Sequence, residues 1–85
     1  MAKRHIVVDR TRKFAVVLEP ETEGGFTVRV PSLPEIVTSG KDEAEVLSMA
    51  EDAIRLVLED MTARGEPIPP EATPHIREVT VTLAA

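Results

Sequence analysis

No cysteine, tryptophan or tyrosine occurs in these 85 residues, and only two phenylalanines and two histidines do. Without cysteine there is neither a disulfide nor a thiolate metal site, and the chain suits a reducing compartment. Two aromatic rings make no stacking platform for single-stranded nucleic acid. His5 and His75 lie at opposite ends of the chain, without the spacing of a metal or catalytic pair, and read as surface histidines. Long apolar runs are also missing. Nothing approaches the roughly 20 residues that cross a bilayer. The basic N-terminus lacks the apolar core, about 7–15 residues long, of a signal peptide. A complete, cytoplasmic chain with no membrane partner is expected.

Catalytic patterns are equally scarce. Ser32, Ser39 and Ser48 stand in no Gly-x-Ser-x-Gly elbow. Gly24-Gly25 is flanked by Glu21 and Glu23, which would repel a phosphate, so the pair reads as a turn. No catalytic, cofactor-binding or metal-binding residue is assigned, and a binding module is expected rather than an enzyme.

The composition, 42% apolar and 29% charged, is that of a folded domain. A chain of this length forms one domain and buries only about 60–65% of the surface its unfolded form exposes. Its core is thin, which favours self-association. The net charge of −5 is unevenly spread. Residues 1–13 hold five basic side chains (Lys3, Arg4, Arg10, Arg12 and Lys13) against Asp9, a net of +4; residues 14–85 hold five basic and fourteen acidic ones, a net of −9. The acidic body opposes nucleic-acid binding and suits a basic protein partner. Plain solvation of an acidic surface is the competing reading. Any contact with DNA would fall to the basic arm.

Phe14 to Leu18 alternates as a strand with apolar character on both faces, which points to a homodimer or higher oligomer. Pro20 ends it, and Glu21 to Gly25 is a turn. Phe26, Val28 and Val30 alternate with Thr27 and Arg29, a second strand that pairs with the first as a hairpin. Pro31-Ser32-Leu33-Pro34 is a corner with Leu33 turned into the core. Glu35 to Ser39 returns as a third strand, broken at Gly40. Asp42 caps a helix over residues 43–64, with Glu45 completing an acidic capping box and Gly65 in the left-handed stop position. Val46, Leu47, Ala50, Ala53, Ile54, Val57, Leu58 and Met61 form its apolar stripe. A proline-rich connector, Glu66 to Pro70, leads to a polar loop and a last strand carrying Val79, Val81 and Leu83. The order is β-β-β-α-β, an α+β fold. Its helix lies on one face of three antiparallel strands, and the fourth strand joins the first in parallel by a right-handed crossover.

Several of these features stand together in one known family. Glu19-Pro20-Glu21, Gly24-Gly25-Phe26, Val28, Val30-Pro31, Leu33-Pro34, Thr38, Gly40, Ala50, Ala53 and Ile54, followed by Gly65 to Pro69, resemble the HicB-like antitoxins over residues 13–83. The resemblance implies a partial ribonuclease-H-like fold and a partner, HicA, that cleaves messenger RNA. Many members add a C-terminal DNA-binding segment. This chain stops at Ala85, straight after its last expected strand, so a single domain over residues 14–85 behind a basic arm is expected, without that segment. Where the family usually has Gly-Cys after the Leu-Pro corner, this chain has Glu35-Ile36. A ribonuclease-H-like fold invites metal-dependent hydrolysis, which gathers several carboxylates around two ions. Here the expected inner face is aliphatic, so the resemblance implies toxin neutralisation and not nuclease activity. The acidic residues Glu19, Glu21, Glu23 and Glu35 are the candidate partner-binding set, with an ordinary solvated hairpin tip as the bland alternative. Rival readings are a self-associating structural or regulatory module, and a repressor that binds DNA through the basic arm.

Overall fold

Gly24 and Gly25 turn the chain with φ of 96° and 83°, a region that L side chains rarely enter. The turn closes through Glu21 N–H donating to the Gly25 carbonyl at 3.0 Å and Gly24 N–H donating to the Glu21 carbonyl at 3.1 Å. This computed structural model describes residues 11–71 and 73–84. Strand β1 (Val17–Pro20) pairs antiparallel with β2 (Phe26–Arg29), and β2 pairs antiparallel with β3 (Val37–Gly40). Val17, Arg29 and Val37 share one rung; Glu19, Thr27 and Ser39 share another.

The hydrogen-bonded part of each strand is shorter than the apolar alternation predicts. Val17 is the first paired residue of β1 because its opposite, Arg29, is the last of β2. Beyond Arg29 the chain leaves the sheet at Pro31. There it makes two successive tight turns, with Leu33 N–H donating to the Val30 carbonyl and Ile36 N–H to the Leu33 carbonyl, both at 2.9 Å. Val30, Leu33 and Ile36 are buried at this corner, as the prolines on either side of Leu33 imply.

Helix α1 (Glu43–Ala63) begins where Asp42 Oδ1 accepts from the Glu45 backbone N–H at 2.8 Å. Glu45 reaches back to the N–H of Lys41, at 3.4 Å, one residue before the cap. The helix stops in a Schellman motif: Glu66 N–H donates to Met61 O and Gly65 N–H to Thr62 O, with Gly65 at φ 71°. The helix lies on the inner face of the sheet, against β2 and β3. Val46 and Ala50 pack on Val28, with Val16, Leu18 and Phe26 at the margin. Ala53, Ile54, Val57, Leu58 and Met61 cover the corner. Full burial of one such aliphatic side chain contributes roughly 1.5–3 kcal/mol. Six apolar residues are buried among those described, so the core is as thin as the length implies.

The architecture is the expected α+β arrangement of three antiparallel strands under one long helix. The expected fourth strand, parallel to β1, is not seen: among the described residues none forms. Residues 66–71 and 73–84 carry no regular element, and Val79, Val81 and Leu83 are 85%, 71% and 84% exposed. A strand is held by ladder bonds to a neighbour, and this segment lies beside none. Four prolines (Pro67, Pro69, Pro70 and Pro74) keep the approach extended and lacking donors. A consequence is visible on α1. The half of its apolar stripe over β2 and β3 is covered; the half carrying Leu47, Ile54 and Leu58 borders an open groove beside β1. Of the arm, Lys3, Arg4 and Arg10 lie outside the described residues.

Candidate partner-binding surface

The face of the sheet turned away from α1 carries Val17 and Glu19 on β1, Thr27 and Arg29 on β2, and Val37 and Ser39 on β3. Alternation puts them there: Phe26 and Val28 point to the helix, so Thr27 and Arg29 point away. Arg29 Nε donates to Glu19 Oε1 at 2.8 Å across the β1–β2 ladder. Both side chains are about half exposed, and such a pair contributes about 0–1 kcal/mol. Glu21 Oε1 accepts from the Thr27 hydroxyl. Glu23 is exposed in the turn itself. The structure therefore brings Glu19, Glu21 and Glu23 to one end of the sheet.

Glu35 is placed elsewhere. It sits, exposed, in the corner after β2, at the opposite end of that strand from the hairpin turn. With about 3.3 Å per strand residue, the two ends stand more than ~10 Å apart. The expected four-residue set is thus a tip of three carboxylates plus a separate one. Arg12 and Lys13 are exposed before β1; the backbone N–H of Lys13 donates to Glu71 Oε1 at 3.1 Å. His75 is exposed, and His5 lies outside the described residues. Among the described residues, no three His, Asp or Glu side chains gather closely enough to hold a metal ion, and no helix is long and apolar enough to cross a membrane.

Chemically, this surface offers acceptors. Glu19 and Glu21 are each steadied by one donor from β2, which leaves carboxylate oxygens to meet lysine or arginine. Val37, 52% exposed, adds an apolar patch to the same face. Alternation along the third strand puts Val37 on the side opposite Ile36 but does not link it to the acidic tip. Register places Val37 on the rung of Arg29, at the corner end of the sheet, where its only neighbour in the acidic set is Glu19 through that arginine.

Comparison with known proteins identifies the family. Residues 13–85 match the family described as the HicB-like antitoxin of bacterial toxin–antitoxin systems. Antitoxin HicB 1 of Photorhabdus laumondii is 37% identical over 65 residues, 76% of this chain and 42% of that protein. A UPF0150 protein of Thermoplasma acidophilum is 33% identical over 69 residues, covering 81% of this chain and 96% of that one. Antitoxin HicB of Escherichia coli is 31% identical over 77 residues, 86% of this chain and 56% of that protein. The chain thus spans about half the length of the named antitoxins it matches. No solved structure matches it significantly. With its matched region running through the whole hairpin, corner and helix, the chain belongs to the HicB-like antitoxin family, whose members are binding proteins and not enzymes.

Proposed function

We propose that this protein neutralises a small, basic, HicA-type mRNA-cleaving toxin in the cytoplasm by lying across the toxin's RNA-binding face. The observation that carries the reading is the cluster of Glu19, Glu21 and Glu23 at one end of the sheet, in a chain of net charge −5 and of antitoxin family. A face that binds RNA is rich in lysine and arginine. Opposed carboxylates speed encounter with such a face and exclude phosphate from it, while adding little affinity as isolated exposed pairs. The apolar neighbours Val17 and Val37 supply area that can be desolvated beside the charges. The fold proposed for this activity is the partial ribonuclease-H-like one, in which a fourth strand lies beside β1.

Co-expression with a HicA-type toxin tests the reading. Growth arrested by the toxin should recover, and the two proteins should co-purify. Replacing Glu19, Glu21 and Glu23 together by Gln should slow association at least ~10-fold at low salt and much less at high salt. Absence of a complex at micromolar concentration, or association as fast for the triple variant as for the parent at low salt, overturns it.

A further inference from the structure

The groove beside β1 and the segment that no strand receives are complementary. The groove is lined by Phe14 and Val16 before and beside β1, by Leu47, Ile54 and Leu58 of α1, and by Ile68 of the connector. β1 is an edge strand of the three-stranded sheet, and Phe14 and Val16, which lead into it, line the groove. The segment from Ile76 to Leu83 has what such a groove takes. Val79, Val81 and Leu83 alternate with polar residues and stand at least 71% exposed. We propose that the groove of each copy receives residues 76–83 of a second copy, and that the two chains exchange these strands reciprocally about a two-fold axis.

Three observations select a second copy over the chain's own segment or a foreign strand. The first is register. Glu71 is tied to Lys13 by a 3.1 Å hydrogen bond, so the connector has reached the start of its own β1 edge five residues before Ile76. Continued straight from there in parallel, Val79 to Leu83 would fall opposite residues 21–25, beyond the end of β1 at Pro20. A strand from another copy carries no such tether and can set its apolar residues against Phe14, Val16 and Leu18. The second is the connector. Pro74, between Glu71 and Ile76, resists the tight bend that would slide the segment back along its own chain, and a stiff hinge favours exchange between copies. The third is area. An eight-residue strand is about 26 Å long. Seated by one edge and one face, it buries on the order of 800 Å² counting both sides, below what a stable interface needs. Two reciprocal contacts bury on the order of 1,600 Å², the standard size. The chain is then a dimer in which each half completes the other's sheet and covers the open half of α1. The inference does not require a toxin.

The cysteine-free chain permits a direct test. Val16→Cys and Val81→Cys are introduced together, and the full-length protein is oxidised at micromolar concentration. Exchange predicts covalent dimers on non-reducing gels. A monomer with an internal disulfide overturns the proposal, because the segment then closes its own groove. Two free thiols at monomeric mass overturn it as well, because the segment then serves another partner. Light scattering of the unsubstituted chain guards against misfolding of the variant: twice the chain mass is expected, and a single chain mass refutes exchange. Val81→Lys should halve that mass while the helical circular dichroism stays within about a tenth; a dimer that survives Val81→Lys unchanged is built on a different face and overturns the proposal.

Discussion

A Cβ placed on Gly40 would stand 2.6 Å from the backbone nitrogen of Val46. The last residue of β3 and the first turn of α1 therefore touch backbone to backbone, and the sheet–helix angle is set at that point. Val46 is itself fully buried on Val28, so neither side can retreat.

Gly40→Ala should accordingly cost about 3 kcal/mol, at the upper end of overpacking effects. Gly24 is the control. It has φ of 96°, but a methyl group there would meet no atom within 4 Å, so Gly24→Ala should cost only the left-handed backbone penalty, about 1–2 kcal/mol. Urea midpoints compared at equal m-value would separate the two. Equal losses would show that contact with the helix contributes nothing.

Leu33 is held inside the corner by two short turns and by burial against the C-terminal half of α1. Leu33→Ala should cost roughly 2–5 kcal/mol, as core leucine truncations do. Val37→Ala, at a half-exposed position on the outer face, should stay within about 0.5 kcal/mol. Thermal unfolding followed by helical circular dichroism reads both.

Asp42 caps α1 through a 2.8 Å bond to the Glu45 N–H. Asp42→Ala should lower stability by ~1 kcal/mol, and Asp42→Asn should restore most of it because Asn caps about as well. A variant with Asn no better than Ala would mean that charge at the helix end, and not the hydrogen bond, carries the effect.

Glu19 and Arg29 form a cross-strand pair about half exposed on both sides. A double-mutant cycle with Glu19→Gln and Arg29→Gln should return a coupling below ~1 kcal/mol that shrinks further at about 1 M salt. A coupling of several kcal/mol would mean that the pair organises the hairpin, and would move Glu19 from partner binding to structure.

Local chemistry carried much of this protein in its order of residues. The glycine pair at positions 24 and 25, the prolines around Leu33, the Asp42 cap and the Gly65 stop each act within a few residues of themselves, so turn, corner and helix ends are legible one residue at a time. The period-two and near-period-four apolar patterns likewise state which side of β2 and of α1 must be buried. The family pattern, being a register of such local devices, is legible for the same reason.

Tertiary structure decided what depends on who lies beside whom. Val79, Val81 and Leu83 alternate like a strand, yet a strand exists only where a neighbour offers its edge, and alternation does not name the neighbour. The separation of Glu35 from Glu19, Glu21 and Glu23, and the place of Val37 beside Arg29 on the outer face, follow from strand register, which arises from pairing at a distance along the chain. So does the width of the open seam on α1: three strands cover only part of an apolar stripe broad enough for four.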